Sequence, residues 1–441
     1  MARRTDCTSL EQRMAIAERA AAGQTDRQIA TEMSLSVWTV RKWRRKAQKE
    51  GRSGLTPRRG RPPTGALGAF PQIRETLRQM REERPGWGPI TLRLELEKRG
   101  WAGAALPSRS RIAAFLRQEG LVRPYQRRSP LPQPDPSPVR HPHEEWAVDA
   151  QGVVQTPLGP VSVINIVDEA SHLLVESLAR PGTSHPTQAD YQLALRKGFL
   201  QRGLPQRVSL DHDTVFYDNV SSSPFPTPIH LWLIALGVGV RFIQHPPPRE
   251  HSRIERKHRT VHLQGIEGQN PADEMALQRG LDERREFLNS QYPSSSLGGR
   301  PPLVAFPEAR HSGRPYRLEW EEELLDMQRV ADYLAGGRWY RRVSSQGQVA
   351  LGGHSYYLGK DYARQEVEIT FDPQTWELVF QPKGDLPPVR RPIQGVTKAD
   401  LMGEAVPLVS GPYQLSFPLT ISAWREWVLA EAWRGTIFLR L

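Results

Sequence analysis

The chain has 441 residues with 60 Lys and Arg against 48 Asp and Glu, a net charge of +12; 38% hydrophobic content and 12 tryptophans exclude a disordered polymer and suffice for about three or four domains. The single cysteine, Cys7, excludes a disulfide framework or a thiolate zinc cluster within one chain. No apolar run approaches the ~20 residues of a membrane span, and MARRTDCTSLEQR lacks the apolar core of a secretory signal. The expected location is therefore cytoplasmic. Charge is unevenly placed: residues 1–140 hold 29 Lys and Arg against 13 Asp and Glu, the remainder 31 against 35. A basic front and a near-neutral remainder point to an anionic partner, nucleic acid, gripped from the N-terminal side.

Leu10 to Ala22 reads as an amphipathic helix closed by Gly23, followed by a short helix from Asp26 to Met33 capped by Thr25. Ser36 then caps a third helix, Val37 to Lys49, with Val40 and Trp43 on its buried side. This is the pattern of a helix-turn-helix unit over residues 1–50, with Thr39, Arg41, Lys42, Arg44 and Arg45 as candidates to face DNA. Residues 51–69 form a basic Gly/Pro linker whose Arg58, Arg59 and Arg61 suit a phosphate backbone or a minor groove. A second helix-turn-helix-like DNA-binding unit is expected over 70–122, and its helix capped by Ser108 carries Arg109 and Arg111 as further DNA-facing candidates. Seven prolines in 123–143 mark the next boundary.

From Glu144 the period changes. Strands are predicted at EEWAVDAQG, VSVINIVD (161–168) and HLLVESL (172–178), then a helix from His185 to Leu200. Strand RVSLD (207–211), a helix over 228–236 and strand VGVRFIQ (238–244) follow. Three consecutive strands and then alternating helix and strand predict an α/β domain with a mixed five-stranded sheet. Strand ends bring Asp149 and Asp211 to one edge, and a helix starting near Arg249 carries Glu255 among Arg253, Arg256, Lys257 and Arg259. Three carboxylates from separate elements suit two Mg²⁺ ions clamping a phosphodiester. Asp168, Asp213 and Glu250 are the rival acids; His251, His258 and His262 lack the companion ligands that zinc takes.

These residues resemble a family. Trp146–Asp149 (W-x-x-D), Asp211–Phe216 (D-x-x-x-x-F) and Glu255–Thr260 (E-R-x-H-R-T) are similar to the catalytic core of DDE transposases and retroviral-type integrases. With the N-terminal units, the closest likeness is to bacterial insertion-sequence transposases. The resemblance implies an RNase H-like core over 144–268 in which Asp149, Asp211 and Glu255 are catalytic and metal-binding. It also implies two Mg²⁺ or Mn²⁺ ions, and DNA cleavage and strand transfer. The substrates would be double-stranded terminal inverted repeats and target DNA, handled by a homo-oligomer, with Arg256, Lys257 and Arg259 on the DNA backbone. The sequence departs from the family at His212-Asp213 and His251-Ser252, and its 43 residues between Asp211 and Glu255 exceed the family's usual spacing. A non-catalytic, repurposed DNA-binding relative is the alternative. After the core, a helical connector is expected over 269–336, with helices from Ala272 to Leu288 and Glu319 to Leu334. A small SH3-like β-barrel is expected over 337–383, and a tail over 384–441 with a Trp-rich segment at 423–433.

Overall fold

A computed structural model of the chain describes residues 8–56, 67–68, 70–122, 138–183, 185–243 and 252–403. Arg58, Arg59, Arg61, Glu250, His251 and the Trp-rich segment lie outside the described residues. The chain divides into two compact units, Met1–Ala69 and Phe70–Leu441.

The first unit is three helices: α1 (Leu10–Ala21), α2 (Asp26–Glu32) and α3 (Val37–Leu55). Ser9 and Thr25 close capping boxes with Gln12 and Gln28, and the Ser36 hydroxyl accepts from the Thr39 N–H, so each start is fixed by its own side chains. Ile16, Ile29, Val40, Trp43 and Leu55 form the core. Helix α3 outruns the expected end at Lys49, with non-helical backbone at Gly51 where it kinks.

The second unit opens with α4 (Pro71–Glu83), α5 (Pro89–Lys98) and α6 (Arg109–Gln118). These precede the strands β1 (Glu145–Thr156), β2 (Gly159–Asp168) and β3 (Leu174–Pro181). Helix α7 (Gln188–Arg202), β4 (Arg207–Leu210), α8 (Pro228–Ala235), β5 (Gly239–Phe242) and α9 (Ser252–Val261) complete the expected alternation. The sheet order is β3-β2-β1-β4-β5, antiparallel from β1 to β3 and parallel from β1 to β5. The predicted mixed five-stranded sheet is therefore present.

Both faces of the sheet are covered. Trp146, Val148, Ile164, Ile166 and Val175 point into one core with Phe199 of α7 and Trp232 of α8. Ala147, Val161, Val163 and Val167 point the other way, against Ile254 and Val261 of α9 and Leu281 and Phe287 of α10 (Glu274–Ser290). A strand buried on both sides has no polar face, which is why VSVINIVD is nearly all apolar.

The connector continues through α11 (Pro302–Ala305), α12 (Glu321–Leu324) and α13 (Met327–Ala335). The single helix expected from Glu319 to Leu334 is broken at Leu325, because Asp326 caps α13 through the Gln328 N–H. Here Glu321 forms a fully buried cluster. It accepts from Arg196 at 2.8 and 2.6 Å, from Trp232 Nε1 at 2.8 Å and from the Tyr316 hydroxyl.

Beyond it lie β6 (Trp339–Arg342), β7 (Gln348–Leu351), β8 (His354–Tyr357), β9 (Glu366–Asp372), β10 (Glu377–Pro382), β11 (Val389–Pro392) and α14 (Lys398–Met402). The expected barrel is replaced by a four-stranded sheet, β11-β10-β9-β6, and a separate hairpin, β7-β8. Alternating burial along β9 and β10 gives one inward face to each strand but does not close the sheet.

Replacing Glu321 by Ala leaves the Arg196 charge buried without its carboxylate, and should destabilise the second unit by about 3–5 kcal/mol in urea unfolding followed by tryptophan fluorescence. Adding Arg196→Met should recover much of that loss; a double variant as unstable as the single one would contradict the ion-pair account.

Candidate active site and nucleic-acid interface

The parallel pairing of β1 with β4 sets Ala147 against Ser209. Two residues further along each strand direction, on the same side by the pleat, come Asp149 and Asp211. The Asp211 carboxyl is raised above the usual carboxylate range, first by burial and then by the charges of Asp149 and Asp213, against a hydrogen bond from the Asp213 N–H to Oδ1 at 3.1 Å. The Asp149 charge therefore acts on the Asp211 carboxyl. Tyr191 of α7 also feels this charge: its hydroxyl is raised by burial and by Asp213, Asp149 and Asp211.

Glu255 is exposed on α9, whose buried face carries Ile254, His258 and Val261. Among the described residues no group of three or more His, Cys, Asp or Glu side chains is gathered so as to hold a metal ion. Glu255 lies one helical turn before His258 on the same helix. His258 is the residue that reaches the site: its Nε2 lies 3.0 Å from Asp149 Oδ2.

The rival acids have other partners. Asp168 is fully buried and accepts from the His143 N–H at 2.6 Å, the Ser171 N–H at 2.7 Å and the Ser171 hydroxyl at 2.6 Å; burial nevertheless pushes it up to about 6. It fixes the turn between β2 and β3. Asp213 is exposed and accepts from the Val215 N–H.

Residues 12–63 match a family model described as a helix-turn-helix domain. The N-terminal unit is a helix-turn-helix domain. Among solved structures, the chain is similar to a simian T-cell lymphotropic virus intasome in complex with PP2A regulatory subunit B56 gamma, at 12% identity over 69% of this chain and 92% of that one, with a TM-score of 0.33. It is also similar to the catalytic core domain of BIV integrase, at 16% identity over 38% of this chain and 95% of that one, TM-score 0.28. A third likeness is to the Mos1 strand transfer complex, at 14% identity over 64% and 90% of the two chains, TM-score 0.23. No helix among the described residues is long and apolar enough to cross a membrane.

Within the helix-turn-helix domain, several side chains expected to face DNA have partners inside the protein. Asp26, at the start of α2, accepts from Arg41 Nε at 3.2 Å and lies 2.9 Å from Arg44. Thr39 shares a hydrogen bond with Ser36. Lys42 and Arg45 stay on the outside. The residue that sequence reasoning missed is Trp38: it is 72% exposed, with the Lys42 ammonium 5.8 Å from its ring centre. An unburied tryptophan at the second position of α3 was the available signal. In the second unit Arg109 and Arg111 are exposed on α6, Arg111 lying over the Phe70 ring.

The cations around Glu255 also divide. Lys257 donates to the His172 carbonyl at 2.9 Å, and burial pulls its ammonium down to about 8. Arg253 donates to the Glu169 side chain at 2.7 Å. Lys257, expected on the DNA backbone, thus holds α9 to the β2–β3 turn, because that turn offers carbonyls and a carboxylate at helix height. Arg256 and Arg259 are exposed.

The strands bearing the two acids are clamped at their other end. Buried Glu145 on β1 accepts from Arg207 on β4 and from Arg241 on β5 at 2.6 Å. Burial pushes its carboxyl up, but the Arg241 and Arg207 hydrogen bonds together outweigh it and hold the carboxyl below its usual range. A depressed carboxyl stabilises the fold above its unfolded pKa of about 4.3 and loses that contribution as pH falls through the folded value. Stability should therefore drop on acidification below about pH 5, and Glu145→Gln should flatten that part of the profile while lowering stability at neutral pH. An unchanged acid limb in Glu145→Gln, measured by denaturant midpoints against pH, would remove Glu145 as its source.

Proposed function

We propose that the protein is a DNA-acting polynucleotidyl transferase that binds DNA through its helix-turn-helix domain and cleaves and joins strands at the edge of the five-stranded sheet. The observation that carries this reading is the placement of Asp149 and Asp211 along two adjacent parallel strands, with the Asp149 charge acting on the Asp211 carboxyl. Such a pair is poorly satisfied alone, and oxygen ligands of this kind are what hard divalent cations take. Asp149 and Asp211 would hold Mg²⁺ or Mn²⁺, with Glu255 as the third ligand. Bound there, the ion supplies charge stabilisation for an in-line displacement at phosphorus.

The protein's own groups do the rest. Exposed Arg256 and Arg259 on α9, and Arg109 and Arg111 on α6, attract the phosphate backbone without reading sequence. Lys42, Arg45 and Trp38 on α3 present the charged and apolar surface with which a recognition helix enters a major groove. Water attack breaks the P–O3′ bond at an element end, leaving a 3′-hydroxyl and a 5′-phosphate. That hydroxyl then attacks a target phosphodiester, forming a new P–O3′ bond as the target's own 3′-oxygen leaves. In each step the leaving oxygen takes up a proton as the attacking oxygen gives one up. Joining two ends calls for at least two copies of the chain. The competing reading is a repurposed DNA-binding protein without chemistry.

With Mg²⁺ and DNA carrying the element's own terminal repeats, wild-type protein should join ends to target. Asp149→Ala, Asp211→Ala and Glu255→Ala should each lower joining at least about a thousandfold, roughly 4 kcal/mol of barrier, while gel-shift affinity for the ends persists. Joining that survives all three changes would overturn the site; a wild type that binds but never joins would establish the non-catalytic reading. Trp38→Ala should reduce discrimination between specific and random DNA while leaving the salt dependence of binding unaltered.

A further inference from the structure

A side chain that is neither acid nor DNA-facing contacts a candidate carboxylate directly: His258. It is 9% exposed, and both its ring nitrogens are engaged. On one side the Asn165 amide Nδ2 donates to His258 Nδ1 at 2.8 Å; on the other His258 Nε2 is 3.0 Å from Asp149 Oδ2. The amide is oriented in turn, because Asn165 Oδ1 accepts from the Ser177 hydroxyl at 2.8 Å. Asn165 and Ser177 are buried and sit opposite each other on β2 and β3, and Asn165 sits opposite Asp149 on β1. The result is a polar row across three strands, Ser177–Asn165–Asp149, roofed by one imidazole from α9.

The direction of each bond follows from the amide. An Nδ2–H that donates requires Nδ1 to be the acceptor, so the ring proton lies on Nε2 and is donated to Asp149. One carboxylate oxygen, Oδ2, is thereby anchored. The same bond sets how α9 is rotated on the sheet, and Glu255 is three residues earlier on that helix, on an adjoining part of its surface.

We propose that His258 is a positioning residue of the carboxylate site: through the Asn165–His258–Asp149 relay it fixes the rotamer of Asp149 and the angle of the helix bearing Glu255, and so sets the affinity for a divalent cation. This rests on the reading of Asp149 and Asp211 as a cation site. Outer groups that orient a ligating side chain are worth about 10–100-fold in metal affinity.

The test is direct Mn²⁺ binding to the full-length protein without DNA, read by electron paramagnetic resonance of the free ion. Asp149→Ala and Asp211→Ala should abolish binding. His258→Phe fills the space but neither donates nor accepts, and should weaken binding about 10–100-fold. His258→Gln keeps a donor amide and an acceptor carbonyl on one planar group, and should stay within about threefold of wild type. Near-ultraviolet circular dichroism shows which variants remain folded, and the Gln variant keeps the comparison meaningful if the Phe variant does not. Binding unchanged in folded His258→Phe, or as weak in His258→Gln as in His258→Phe, would overturn the positioning role while leaving the carboxylate site intact. Wild-type protein that binds no Mn²⁺, indistinguishable from Asp149→Ala, would overturn the cation site itself and this inference with it.

Discussion

A sheet covered on both faces has no water on either side of its central strands, so each polar group there must find its partner within the protein. That constraint governs the second unit. On the α9 and α10 side, Asn165 and Ser177 are bridged to Asp149 by His258. Nearby, buried Glu176 on β3 receives Arg285 from α10 at 3.2 Å and Lys197 from α7 at 3.4 Å. At the β2–β3 turn Asp168 gathers three donors. These buried carboxylates are committed to structure. Asp149 and Asp211 differ in being only half-buried, and the Asp211 carboxyl is raised by burial and by its acidic neighbours Asp149 and Asp213.

Helix α9 is held at both ends. Along its length, Arg253, Lys257 and His258 reach the strands and the β2–β3 turn. Past its end, a π-helical turn over His262–Ile266 meets the second helical module. There Trp87 Nε1 donates to the Gln264 carbonyl at 3.2 Å and Thr91 to the Gln264 side chain at 3.1 Å. Gly86 is required at this junction, since a Cβ there would lie 2.0 Å from the Leu263 carbonyl oxygen. Arg284 of α10 closes the contact, pairing with Glu95 at 2.9 Å and covering the Trp87 ring at 4.4 Å. The helical unit over 70–122 thus packs on the turn that follows the helix carrying Glu255.

How much of this was legible depended on whether the signal was local. Capping residues Thr25, Ser36 and Ser108 marked helix starts correctly, because a cap is satisfied within three residues. The apolar run of β2 announced a strand buried on both faces. The pairing of Asp149 with Asp211 could be anticipated from the ends of two strands. What escaped were partners far apart in sequence: Asp26 with Arg41 and Arg44, Lys257 with the His172 carbonyl, and His258 with Asp149, 109 residues away. A basic residue on a helix looks the same in sequence whether it faces a phosphate or a neighbouring carbonyl.

The sequence by itself determined the order of elements, the two helical modules, the mixed sheet and the strand ends that bear Asp149 and Asp211. Hydrophobic period, caps and turn residues act over a few positions and need no knowledge of the rest of the chain. Tertiary structure alone decided which charges remain outward, that the C-terminal strands stay open, and that His258 of α9 meets Asp149. Those outcomes follow from which surfaces meet after collapse, where burial forces each polar group to take the nearest partner.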